Sequence, residues 1–348
     1  MVEDLRLGNR TAYLRKSLSA PDFCSDSILT RDVFSYVALW LKRQKTAPKV
    51  AQSYWRQAEE YYRASLSLSA VSSPLTIYYC YLNATKALLS LKAPGFSEYH
   101  GMTGKIISSK IELVNEETKL KRAGIIVSLS NYLSETEPRD THNLKDLLAN
   151  LPFIHRAFCL TYKTQTNLFL PIQDAKYVID PATKHVTLRA KIGGRFTDGR
   201  YMATLPAILE QVPGEAPGVV RSTKHVQWHK RGASKAVQAA ALTALHALHH
   251  ELRAHLVCIS APTDLWYVRR EVAASPRIER YGLTIMLAAM HRLSELSRYD
   301  PAGLEAHLSG KRNWLLSEFL QLSPAQFIDE IACEMTGEEL RMPGVRTM

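Results

Sequence analysis

Residues 54–101 read YWRQAEEYYRASLSLSAVSSPLTIYYCYLNATKALLSLKAPGFSEYHG, and this stretch decides the fold. Tyr54, Ala58, Tyr61, Tyr62 and Ser65 recur at helical spacing, which predicts a helix over 49–70. A second helix follows. Ser72 or Ser73 is its N-cap, Pro74 takes the first helical position, where a missing N–H costs nothing, and Pro94-Gly95 ends it. Leu75, Tyr78, Tyr79, Leu82, Leu88, Leu89 and Leu91 make most of its circumference apolar. Tyr79, Asn83 and Lys86 nevertheless fall at i, i+4 and i+7, on one side. Buried polar groups left unpaired cost about 1–3 kcal/mol each. This stripe, with His100-Gly101 delivered by the loop after it, is therefore either an internal network that fixes helix packing or a polar pocket in which His100 titrates near neutrality.

Outward from this core, residues 1–30 are poorly periodic and read as an extended arm. Arg31–Arg43 reads as a helix that Thr46-Ala47-Pro48 breaks. Residues 123–127, AGIIV, fit strand or buried helix equally, whereas NLKDLLAN (143–150) and FIHRAFCLTY read as short helices. Near Gln165 the period changes. NLFLPIQDAKYVID, KHVTLRAKI and GRYMATLP carry β-branched and aromatic residues between turn-formers such as Gly193-Gly194 and Asp198-Gly199, which predicts a small antiparallel meander over 167–228. Helix returns at Ser234 through Cys258, again in IERYGLTIMLAAMHRLSELSRYD, and in two short helices around 314–316 and 327–328. The expected fold class is α+β, mostly helical. Its expected parts are an arm (1–30), a helical bundle (31–165), a basic β-rich insertion (166–232) and a C-terminal helical region (233–348).

With 46% hydrophobic and 22% charged residues the chain is globular. No run approaches the roughly 18 apolar residues a membrane-crossing helix needs. The N-terminus has acids and no apolar segment of the secretory kind. Five cysteines, odd in number and without a CxxC pair, read as reduced thiols of a cytoplasmic protein. The net charge of +11 favours an anionic partner, nucleic acid first. From Lys184 to Lys235, about a seventh of the chain, ten Lys and Arg face three acids.

Two basic glycine segments stand out there, Lys191–Arg195 and Trp228–Gly232. Turn amides with Arg189, Lys191, Arg195, Arg200, Lys230 and Arg231 suit phosphates, and Trp228 suits stacking on a base. An ordinary charged hairpin rim is the alternative. The run His246, His249, His250 and His255 has one-turn spacing that can share a metal, but no second ligand cluster accompanies it and HExxH is absent, so no metal and no cofactor is expected. Walker A, GxSxG and GxGxxG frames are also absent.

The run from Trp55 to Leu89, with QAEEYYRAS, Pro74-Leu75, Tyr78-Tyr79 and LNATKALL, resembles the opening of YaaC-like proteins. His100-Gly101, NLKDLLANLP and the late LSELSRYDP (293–301) continue the likeness in scattered blocks over most of the chain. The first block is also similar to HEPN (higher eukaryote and prokaryote nucleotide-binding) domains, helical bundles found in RNases and antiviral toxins. That resemblance implies a HEPN-like N-terminal bundle and a setting in bacterial antiviral defence. The chain departs from the HEPN nuclease pattern, since no Arg is followed by His with four to six residues between them. The nearest spacings are Arg139-x-x-His142 and Arg221-x-x-x-His225.

Two classes of function follow. One is a nucleic-acid- or nucleoprotein-binding protein using Tyr79, Asn83, Lys86, His100, Arg298 and the basic segment. The other is a metal-independent ribonuclease with His100 or His142 as acid or base and Lys86 or Arg139 facing the phosphate. A structural subunit binding an acidic protein partner, and a homodimer, stay open. No membrane contact is expected.

Overall fold

The computed structural model describes residues 2–163, 167–228, 234–261, 263, 265–273 and 277–341. It is a mixed α+β protein that divides into two compact units. Leu29–Asn167 and Pro276–Thr336 make a helical unit, and Met1–Ile28, Leu168–Ser275 and Gly337–Arg341 make a sheet unit.

The Ser73–Lys92 helix lies at the centre of the helical unit. It packs against Lys49–Ser65, Gly282–Tyr299, Asn313–Thr336 and Ile125–Tyr132. Its burial on nearly every side follows from its low amphipathicity: Ile77, Tyr78, Cys80, Tyr81, Leu82, Leu88 and Leu89 are all buried. Ser72 is the N-cap residue and Pro74 sits one place inside the first turn. Tyr81 is wholly buried, stacks on Phe327 with centroids 3.9 Å apart, and donates to Ser323 Oγ at 2.7 Å. The Val33–Arg43 helix is tied in by Trp55, whose indole N–H donates to the Phe34 carbonyl at 3.0 Å.

The ambiguous AGIIV run begins the Ile125–Tyr132 helix. Before it, Met102–Ile106 and Glu116–Leu120 form an antiparallel pair, extended by Thr141–Asn143. Asn143 caps the Leu144–Ala149 helix by accepting from the Asp146 N–H. The two short helices expected near 314–316 and 327–328 are one, Asn313–Thr336, running through Pro324. Proline removes one backbone donor, and the buried Phe319, Phe327 and Ile331 supply the tertiary packing that overrides this breaker.

In the sheet unit the meander is present and larger than expected. Phe169–Ile179 and His185–Ile192 pair antiparallel, and Val219–Ser222 with Leu209–Gln211 extend one side. On the other side lie Leu265–Arg269 and then Leu256–Ile259. The helix beginning at Lys235 ends at Arg253, because the alternately buried LVCI sequence enters the sheet as a strand. That helix covers the sheet with Leu245, Leu248 and Leu252, spaced three and four apart.

Residues 1–30 are not an arm. Glu3–Asp4 pairs with the strand Phe169–Ile179, Arg6–Leu7 pairs with Arg10–Thr11, and Leu5, Ala12, Leu14 and Phe23 join the sheet core. Strands of two residues are too short to give a periodic signal. The four expected segments are thus drawn as two interleaved units. The arm, the insertion and the Lys235–Arg253 helix share one core, while Gly282–Tyr299 and Asn313–Thr336 belong with the bundle. Among the described residues no helix is long and apolar enough to cross a membrane.

Candidate functional site

An open cleft of about 500 Å³ lies in the helical unit, at the polar side of the Ser73–Lys92 helix. Tyr78 and Tyr79 come from that helix. His100 and Gly101 come from the loop behind it, Lys121 and Ala123 from the turn after Glu116–Leu120, and His291, Glu295 and Arg298 from Gly282–Tyr299. Two glycines fix the loop. Gly101 (φ +78°) and Gly124 (φ +134°) face each other so closely that a Cβ on Gly101 would stand 2.8 Å from Gly124 Cα. The crossing is sealed by Lys121 N–H to Gly101 O at 2.8 Å and Ile125 N–H to Tyr99 O at 2.7 Å.

His100 is joined to Tyr78 through its Nδ1, 2.5 Å from the phenol oxygen. Burial, with Tyr79 and Glu295 adding to it, pushes the Tyr78 phenol up, so it keeps its proton. Among the described residues His100 Nδ1 is the hydrogen-bond partner for that O–H. The phenol therefore donates to Nδ1, and neutral His100 carries its own proton on Nε2. Burial, then the charges of Lys86, Lys121 and Arg298, lower the His100 pKa, with Glu295 opposing. The neutral, N–H-donating form is favoured.

Lys121 and Arg298 add cationic donors. Tyr99 and Tyr299, 81% and 70% exposed, stand at the rim. The Arg298 guanidinium lies 4.9 Å from the Tyr299 ring centroid. Deeper, His291 is 6% exposed, and its ring meets Tyr78 edge-on at 5.1 Å and His100 at 6.4 Å between centroids. Behind it runs a buried ionic chain. Arg292 donates to Glu116 at 2.7 Å and to Glu295 at 3.0 Å, His307 Nε2 lies 3.1 Å from Glu116, and Gly104 N–H donates to Glu295 at 3.0 Å.

The expected residues divide around this cleft. Tyr79 lines it and stacks on Tyr61 at 5.3 Å. Asn83 is buried and donates back to the Tyr79 carbonyl at 2.8 Å, so it serves the helix rather than the cleft. Lys86 sits 5.2 Å over the Tyr54 ring and reaches His100 through its charge alone. Arg298 lines the cleft. Arg139 and His142 do not: Arg139 is held by Glu137 and the Arg277 carbonyl, and His142 is buried in its strand, 3.5 Å from Arg280, its pKa lowered to about 4 by burial and Arg280. Sequence reasoning missed Tyr78, Lys121 and His291. Tyr78 reads in the sequence as part of the helix's apolar girth, and the other two are distant in sequence. The missed signal is the adjacent tyrosine pair, which puts one phenol on each side of the helix edge.

Half of the basic segment's ten Lys and Arg residues are paired with acids among the described residues. Arg189 pairs with Glu215, Lys191 with Asp174, Arg200 with Asp198, Arg221 with Glu210 and Lys224 with Glu251. Arg195 lies over the Phe196 ring at 5.1 Å. Trp228 packs against the sheet core, and its backbone N–H donates to the Lys184 carbonyl. Lys230 and Arg231 fall outside the described residues. The histidine run is packed rather than gathered. His249 accepts from Tyr177 and donates to Ser17 O, and His246 bonds Pro21 O. Among the described residues no cluster of three or more His, Cys, Asp or Glu side chains could hold a metal ion.

The sequence profile of the YaaC-like protein family matches residues 13–335. No curated protein and no solved structure matches the chain.

Proposed function

The chain belongs to the YaaC-like protein family, and from that premise we propose that it binds single-stranded nucleic acid, free or within a nucleoprotein, in the cleft around His100. One observation carries this reading: Lys121, Arg298 and the N–H-donating His100 line one cleft whose rim holds the exposed rings of Tyr99 and Tyr299. Cationic donors suit phosphate oxygens, and exposed aromatic rings suit unstacked bases at roughly 1–3 kcal/mol per base. Duplex would bring phosphates without free base faces. The resemblance of the bundle to HEPN domains, and with it a role in bacterial antiviral defence, belongs to the same proposal.

The test is fluorescence anisotropy of labelled single-stranded RNA and DNA with the whole protein at low salt. Retention of either supports the reading, and Lys121→Ala with Arg298→Ala weakens it. Absence of binding to both overturns the reading and leaves an acidic protein partner for the basic surface.

A second reading, a metal-independent ribonuclease, rests on His100 and His291 sharing one cleft at 6.4 Å. In it His100 acts as the acid, since its Nε2 already holds the proton. Labelled RNA left intact in the presence of chelator would exclude it.

A further inference from the structure

The binding reading of the cleft leaves His291 unused. Its Nδ1 is buried with no hydrogen-bond partner among the described residues, although the side chain lines the cleft. Its Nε2 faces Glu295 Oε1 at 3.9 Å. That carboxylate is immobilised, with Oε1 accepting from Gly104 N–H and Oε2 from Arg292, which is itself anchored on Glu116. A fixed negative charge draws the imidazole proton to the nitrogen that faces it, so the proton sits on Nε2. Nδ1 is then a bare lone pair, and a buried acceptor lacking a donor is costly. Lys121, Arg298 and His100 are all donors that line the cleft, which therefore combines a phosphate-seeking edge with one acceptor that seeks a donor.

We propose that His291 accepts a hydrogen bond from a ribose 2′-hydroxyl of the bound strand, so that the cleft selects ribonucleotides over deoxyribonucleotides. The 2′-hydroxyl is the donor that RNA carries beside each phosphate and DNA lacks. A site built around a ligand hydroxyl rejects the analogue without it, because its own polar group is then left unpaired. Burial first, with His100, Arg292 and Lys121 adding and Glu295 opposing, lowers the His291 pKa to about 4, which keeps the lone pair available at neutral pH. The inference rests on the nucleic-acid reading of the cleft.

The experiment compares labelled oligouridylate, oligodeoxyuridylate and 2′-O-methyl oligouridylate of one length against the whole protein. The bases are identical, so only the sugar differs. The expected result is tighter binding of the ribo strand by about tenfold, one hydrogen bond's worth. The 2′-O-methyl strand, which has lost the donor and kept the oxygen, should behave like the deoxy strand. His291→Phe should bring the ribo strand down to the deoxy level, so that the ratio between the two strands falls to about one. Equal binding of the ribo and deoxy strands by the unaltered protein overturns the inference and leaves the cleft reading standing. So does tight 2′-O-methyl binding, or discrimination that survives in His291→Phe. Failure of all three strands to bind overturns the cleft reading itself.

Discussion

Tyr78 and Tyr79 are neighbours with different work. Tyr78→Phe removes the donor that fixes His100 and should weaken strand binding several-fold, whereas Tyr79→Phe keeps the stack on Tyr61 and should leave binding unchanged. Titration with labelled RNA checks the pair. Gly104 is constrained by contact rather than by its backbone angle. A Cβ there would run into Glu295 and Arg292, so Gly104→Ala should lower the melting temperature while the equivalent change at exposed Gly193 does not.

The buried histidines set a pH dependence. His249 is pushed down to about 3, by burial first and then by Arg253, and His291 to about 4. A folded pKa below the unfolded value of roughly 6.5 means the unfolded chain binds more protons in acid. The stabilisation is therefore full above about pH 6.5 and is lost as pH falls, by up to about 1.4 kcal/mol per pH unit for each group. Melting curves between pH 7.5 and 5 should show the fall. At this scale the sequence made the Tyr79–His100 neighbourhood legible, but it could not say which phenol meets the imidazole, because adjacent residues on a helix differ by about 100° in direction.

Elements were legible wherever a period ran long enough. The Ser73–Lys92 helix shows its caps and its apolar girth in the sequence, and burial of Leu82 at 5% exposure follows from them. Leu82→Asp should cost the helical unit several kcal/mol, since it leaves a charge buried and unpaired. An unaltered urea midpoint would show the helix to be peripheral. Legibility failed at the LVCI strand and at Pro324. In both, tertiary packing overrides the local signal: the neighbouring Leu265–Arg269 strand claims Leu256–Ile259, and Phe327, stacked on Tyr81 far back in the chain, together with buried Phe319 holds the helix through its proline. The resemblance drawn from residues 54–101 named the family, and it did so from helical blocks rather than from the meander.

For the whole molecule, charge read along the sequence misleads. Of the basic residues between Lys184 and Lys235, Lys191 and Lys224 pair with Asp174 and Glu251 from outside that window, and Arg221 and Arg189 with Glu210 and Glu215 within it. Glu210 stands directly across the strand pair from Arg221, a register no composition count reveals. Binding to single strands should weaken with a slope of roughly −0.7 per neutralised phosphate in log K against log salt. Lys121→Ala with Arg298→Ala should flatten that slope by about one unit, and Arg189→Ala with Arg221→Ala should leave it nearly unchanged. The reverse outcome would move the interface to the sheet.

The grouping of segments was the least legible feature of all, and it governs how the protein is made. The sheet core needs Leu5, Leu14 and Phe23 from the beginning of the chain. The same unit draws on its far end: Asp22 N–H donates to Gly337 O at 2.8 Å, and Lys16 Nζ to Leu340 O at 2.6 Å. A ribosome must deliver more than three hundred residues between these partners. Until it does, the first strands wait without their last neighbours, so the sheet unit is completed only when synthesis is nearly over.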